Sequence, residues 1–387
     1  MSAWALDPEI AFLNHGSFGA CPVEVLAAQR RLQDRMEANP VQFLGVEVTD
    51  LMHDARLRAA EFIEADPDGL AFVVNATTGV NTLLRSVPLR AGDEILVTDH
   101  GYEACNLAAE HVAARRGATV RFARLPVPAI DAEGLRDAVL DAVTPQTRFA
   151  VIDHITSPTS LVLPLSEIVS DLAERGVGTI VDGAHAPGQV AVDVDAVGAL
   201  GYAANSHKWV CAPKGAGLLA VSDKWTDEVR PLVVSHGAGQ GGTGRERFRA
   251  MFDWTGTADP TPFLCVPEAI EIVGDMLDGG WPAIRERNHL MALHVRDRLV
   301  EAFGIVPTGP AELTGSMVSL TIPDRWRTLS DPDEAASQFF RRLNDEHGVV
   351  VGVASRRDSD EIFLRLSAHL YTDEESVERL VSALTTF

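Results

Sequence analysis

Gly201-Tyr202-Ala203-Ala204-Asn205-Ser206-His207-Lys208-Trp209 is the stretch that decides the fold, read together with Val181-Asp182-Gly183-Ala184-His185 upstream. Each piece ends a short apolar run, residues 178–181 in one case and 200–204 in the other. Runs of that length and composition predict buried strands. Side chains just past the carboxyl ends of strands in an open α/β sheet face the ligand crevice. One strand end thus offers an acid, Asp182, and the other a lysine, Lys208.

Outward from this core the same grammar repeats. Apolar runs at 70–74, 94–98, 119–125, 148–153 and 216–221 read as strands, and a helical pattern at 133–142 separates two of them. Asn75-Ala76-Thr77-Thr78-Gly79 follows the first run directly, so a helix is expected to begin at Thr77 or Thr78 and reach about residue 86. Strands alternating with helices over such a length predict a mostly parallel, doubly wound sheet. Upstream, helices are expected over 22–35 and 48–64. Downstream, a helical pattern at 269–276 and 281–302 leads into strands at 315–322, 348–353 and 361–367, with helices at 333–345 and 373–384. The implied division is an N-terminal arm (1–21), a large α/β domain (22–265) and a smaller α/β C-terminal domain (266–387).

Bulk properties narrow the partners. The chain has 387 residues, 46% hydrophobic and 23% charged, as expected of a soluble globular protein with a large core. Its net charge of −22 argues against nucleic acid or an anionic membrane surface as partner. Cys21, Cys105, Cys211 and Cys265 are scattered and form no CxxC, so neither a disulfide framework nor a metal site is expected. The first residues lack a basic and then apolar signal sequence, and no apolar run approaches a membrane span. A reduced, cytoplasmic setting is the expectation.

A lysine at one strand end and a carboxylate at another are what an enzyme needs to hold pyridoxal phosphate (PLP) covalently and keep its pyridine nitrogen protonated. Either residue alone would be an ordinary cap or surface charge. The order Asp182-x-x-His185, then Asn205-x-His207-Lys208-Trp209, sharpens the reading. Together with Phe12-Leu13-Asn14-His15-Gly16-Ser17-Phe18-Gly19 near the start, it resembles the class V aminotransferases, PLP enzymes of fold type I, and among them the isopenicillin N epimerase-like and cysteine desulfurase-related proteins.

That resemblance implies roles residue by residue. Lys208 would bind the cofactor and act as base at Cα; Asp182 would pair with the ring nitrogen, and His185 would lie near the ring oxygen or face. Thr77 and Thr78, at a helix N-terminus suited to anions, would hold the phosphate with Asn205 and His207. His100 or Tyr102, after the 94–98 strand, would stack on the ring, and Ser157 would contact its hydroxyl. Thr257, in Trp254-Thr255-Gly256-Thr257, would reach the partner's phosphate in a homodimer with composite sites, although Ala258 stands where relatives commonly carry Arg. The arm residues Asn14 and His15 would meet the substrate. Arg365, inside the apolar run 362–367, would bind an amino acid's α-carboxylate; a charge there is costly unless paired, and Arg suits bidentate carboxylate binding.

Several reactions share these parts. Epimerisation needs a proton donor on the opposite face of Cα, with His15, His100 and Tyr102 as candidates. β-Elimination, such as C–S cleavage, needs only Lys208 and a leaving group, and transamination needs the lysine and water. Persulfide-based desulfuration needs a cysteine on a mobile C-terminal loop, and the last cysteine is Cys265. An epimerase-like enzyme acting on an amino acid is the expectation, with a C–S lyase or aminotransferase as the alternative. Two other classes stay open. Gly237-Ala238-Gly239-Gln240-Gly241-Gly242 formally matches a nicotinamide-binding fingerprint, although no second parallel strand follows it. A cofactor-free scaffold is the other.

Overall fold

In the computed structural model, which describes residues 3–387, the apolar runs find partners on both sides. β1 (Ala11–Phe12) belongs to the arm. The central sheet is built from β2 (Leu70–Val73), β3 (Glu94–Thr98), β4 (Thr119–Ala123), β5 (Thr147–Asp153), β6 (Gly178–Gly183), β7 (Gly201–Asn205) and β8 (Gly217–Val221). Its order is β2-β8-β7-β6-β5-β3-β4. Side chains of alternate residues enter different apolar layers. Ile95, Val97, Val151 and Ile180 pack on one face, while Leu96, Ile152 and Val181 pack on the other. Burial on both faces is why these strands read as continuous apolar runs rather than alternating ones.

Every pairing from β4 through β7 is parallel, whereas β8 runs antiparallel to both β7 and β2. The cause is the short link at 206–216, which holds no helix and cannot carry the chain back for a parallel crossover. Lys208 sits in that reversal. The carboxyl ends of β5, β6 and β7 bring Asp153, Asp182 and Asn205 to one edge.

The helix after β2 spans Ala76–Ser86 and is capped by Asn75, whose side chain accepts from the Thr78 amide. It therefore starts ahead of Thr77 and Thr78, because Asn is the better N-cap and lies first in the chain.

β9 (Met317–Thr321), β11 (Gly352–Ser355) and β12 (Ile362–Ser367) form an antiparallel sheet in the order β11-β12-β9. The run expected as one strand at 348–353 is instead split. β10 (Val349–Val350) pairs in parallel with β1, while β11 pairs with β12, so Val351 falls between two different partners. The arm is thereby sewn to the C-terminal part of the chain and then crosses to the β7–β8 reversal. Gly19 makes that crossing at φ +71°, and a Cβ there would lie 2.2 Å from the His207 carbonyl oxygen. Only glycine combines that backbone angle with so close an approach.

The glycine-rich segment follows residues 232–234, which form no strand, and His236–Gly239 is a single 3-10 turn. The strand-turn-helix context of a dinucleotide fingerprint is missing there. No helix among the described residues is long and apolar enough to cross a membrane.

Candidate active site

At the carboxyl edge of the sheet lies a cavity of about 310 Å³, lined by Lys208, Asp182, His185, Asn205 and His207 together with Thr77. Ser17, Phe18, Tyr102 and Ser157 line it too, and the same four residues line a larger groove of about 930 Å³ that holds Asn14 and Arg365. The two spaces thus adjoin, with these four residues shared between them.

Local bonds orient each group. Lys208 Nζ lies 3.2 Å from His185 Nε2, and Trp209 Nε1–H donates to His185 Nδ1 at 3.4 Å. With Nδ1 accepting from the indole, Nε2 carries the ring's hydrogen and can donate to the lysine in its neutral amine form. Asp182 Oδ1 accepts from the Ala184 amide at 3.0 Å and Oδ2 from the Cys105 thiol at 3.1 Å. Asn205 Oδ1 accepts from the first helical amide, Ala76, at 2.8 Å. His207 Nδ1–H donates to the Ala216 carbonyl at 2.9 Å.

Electrostatics in this space follow from burial. Desolvation, helped by the Arg365 charge and opposed by Asp182, lowers Lys208 to a pKa of about 8. Half of the amine is free near pH 8, and about a tenth at pH 7, far more than for a surface lysine. Burial also holds His185 well below the usual imidazole range, with Lys208 and Arg365 adding to it, and brings His207 down to about 4. Both rings are neutral at pH 7.

Arg365 is 7% exposed, and burial lowers even its guanidinium, to about 10. Its hydrogen bonds all go to neutral acceptors: Nη1 to the Ser157 carbonyl at 2.8 Å and hydroxyl at 3.1 Å, and Nη2 to the Ser17 hydroxyl at 2.8 Å. Ser17 donates in turn to Asn14 Oδ1 at 2.8 Å. Nε is buried without a partner. A buried cation held only by neutral groups is a costly arrangement that an incoming anion relieves.

Four of the residues singled out from the sequence line neither space. Thr78 spends its hydroxyl on Asn75 Oδ1, 3.0 Å away. His100 is wholly buried against Thr159 Oγ1 at 2.9 Å, whereas Tyr102 is 45% exposed and lines both spaces. His15 lies behind the lysine: its Nε2–H donates to the Lys208 carbonyl at 3.0 Å and its Nδ1 meets the Tyr371 hydroxyl at 2.8 Å. His15 also gathers with Cys211 and His369, but it is stacked on His369 with ring centroids 4.1 Å apart. Cys211 Sγ lies 3.7 Å from His15 Nε2 and 3.5 Å from His369 Nε2, and His15 Nε2 is already committed to the Lys208 carbonyl. Thr257 is exposed on this chain.

Three residues that line or serve the cavity escaped the sequence reading. Asp153 ends its apolar run just as Asp182 does, and that shared strand-end position was the available signal. Ser17 stands inside the arm motif itself. Cys105 reaches Asp182 from the helix Glu103–Arg116, which no local pattern announces. Lysine is also scarce: the chain contains only Lys208, Lys214 and Lys224, and of these only Lys208 lines the cavity.

Comparison with known proteins agrees with this geometry. The aminotransferase class-V family matches residues 16–380. An isopenicillin N epimerase of Amycolatopsis lactamdurans is 35% identical, over 99% of this chain and 98% of that protein. An L-cysteine desulfhydrase of Arabidopsis thaliana is 30% identical, over 97% of this chain and 87% of that protein. Among solved structures, the cystine C-S lyase C-DES, in complex with cysteine persulfide, superposes with a TM-score of 0.83 at 22% identity, covering 98% of each chain. With fold, strand-end lysine and family match in agreement, the chain belongs to the class V aminotransferases and is a PLP-dependent enzyme.

Proposed function

We propose that this enzyme removes the Cα proton of an α-amino acid and returns one to the opposite face, as an epimerase. The observation that carries the reading is the pairing of Lys208, an amine poised near neutrality, with Arg365, a buried cation lacking an acid. Amine and guanidinium line adjoining spaces, as an α-amino acid held by its carboxylate requires.

The donor set lining the cavity suits the parts of the cofactor. Lys208 would hold it, Asp182 would pair with its ring nitrogen, and Ser157 and His185 would serve the ring oxygen. Thr77, Asn205 and His207 serve the phosphate, and phosphate arriving at the free Nε2 of His207 would draw a proton there. Tyr102 would cover the ring face, since His100 is bonded to Thr159 and lines neither space. When bound, PLP withdraws electrons from Cα and so acidifies its hydrogen. Lys208 is then the base for that hydrogen. Of the three candidates for the opposite-face donor, Tyr102 alone lines the site.

The second reading is C–S β-elimination, favoured by the desulfhydrase relatives. Persulfide-based desulfuration has less support, because all four cysteines are buried and none lines either space. Incubation with single L-amino acids in D₂O separates the readings. Epimerisation is expected to put deuterium at Cα and accumulate the D-enantiomer on a chiral column. Loss of the β-substituent with ammonia and a keto acid, and no D-enantiomer, replaces this reading with the lyase.

The same reading makes the enzyme a homodimer, with the exposed Thr257 completing the partner's phosphate site. Sedimentation is expected to give a dimer at every concentration at which PLP is retained. A PLP-saturated, active monomer would show that Thr257 has no such role.

A further inference from the structure

Asp153 and Asp182 are Cα partners on the parallel strands β5 and β6. Residues so paired point to the same side of a sheet. Both line the 310 Å³ cavity and both are buried, at 4% and 3% exposure. Their surroundings are unequal. Asp182 accepts the Ala184 amide at 3.0 Å and the Cys105 thiol at 3.1 Å, whereas Asp153 accepts the Tyr102 amide at 3.3 Å. Neither has an arginine or lysine at ion-pair distance among the described residues. Two adjacent buried carboxyls cannot both stay ionised, and the charge settles where the better donors are.

We propose that Asp153 is a second working carboxyl of the site, kept as the neutral acid beside ionised Asp182, so that the pocket holds one negative charge rather than two. Burial and the Asp182 charge act in the same direction, raising the Asp153 pKa well above the carboxylate range. The charged or titratable groups facing the pair are Lys208 from the β7–β8 reversal, Tyr202 of β7, Cys105 and Tyr102 at the start of the neighbouring helix, and His185 beyond β6. Of these, Lys208 draws Asp153 the other way. The consequence is a charge balance. Lys208 meets a single carboxylate and Arg365 meets none, which leaves the space attractive to phosphate and to a substrate carboxylate. A second carboxylate would cancel that excess.

The test begins on the unloaded protein and so does not depend on how the cavity is used. Infrared difference spectra of ¹³C-aspartate-labelled protein at neutral pH, wild type minus Asp153→Asn, are expected to contain a neutral-carboxyl band; Asp99 is common to both and cancels. A carboxyl ¹³C titration of labelled Asp99→Asn protein serves if Asp153→Asn does not fold, and is expected to show a buried aspartate still protonated at neutrality. The second arm rests on the PLP reading. Asparagine imitates a neutral acid but not a carboxylate, so Asp153→Asn should hold PLP within about threefold of wild type, while Asp182→Asn weakens it by about tenfold or more. Absence of the neutral carboxyl in the unloaded protein overturns the proposal, as does loss of PLP from Asp153→Asn equal to that from Asp182→Asn. If neither variant changes PLP binding while the neutral carboxyl is present, the protonation assignment stands and it is the cofactor placement that fails.

Discussion

Lys208→Ala is expected to abolish turnover and covalent capture of PLP while the melting curve stays close to that of the wild type. Loss of a general base alone costs about 10²–10⁴-fold, and here the same side chain also holds the cofactor. Because the amine titrates near a pKa of about 8, the capture rate of the unloaded wild type should rise with pH and level off just above that value. An unshifted lysine would keep rising to about pH 10.4. The direction follows from burial, which favours the neutral amine, the form that attacks a carbonyl. Peptide mass spectrometry after borohydride reduction should find the cofactor mass on Lys208. Lys214 donates to the Gly19 carbonyl at 2.7 Å and Lys224 lies in the turn Asp223–Trp225, so a label on either would end the assignment.

Arg365→Lys tests the substrate class rather than the cofactor. An ammonium keeps the charge but cannot reproduce the planar fork that spans Ser157 and Ser17. Charge-assisted hydrogen bonds are worth about 1.5–3 kcal/mol each. Amino acids should therefore bind at least about tenfold more weakly, with PLP content unchanged. Amines without a carboxylate should bind both forms equally. Spectral titration of the bound cofactor with matched acid and amine pairs reads this directly. Equal affinities across every pair would remove Arg365 from the substrate site, and with it the argument for an amino-acid substrate.

The features legible in the chain were the local ones. A buried strand, its terminal residue and the turn beyond it occupy a handful of consecutive positions, so Asp182, His185, His207 and Lys208 could be seen side by side. The reversal of β8 and the split between β10 and β11 were not legible, because both depend on which distant strand offers hydrogen bonds. The sequence reading placed His15 at the substrate and left His100 and Tyr102 equal. His15 and Lys208 are separated by 193 positions, and the bond between them exists only because the arm crosses the β7–β8 reversal. His100 and Tyr102 are two residues apart, and the loop turns one inward to Thr159 and the other out to the cavity.

The sequence by itself determined the family, the α/β architecture and the use of PLP. Each is encoded in short motifs whose order along the chain matches the order of strand ends. Tertiary structure alone decided the electrostatic state of the site. The lowered Lys208, the acid-free Arg365 and the Asp153–Asp182 pair arise from burial and from neighbours on other strands. A charge's energy depends on what surrounds it in space, and that information is absent from the spacing of residues along the chain.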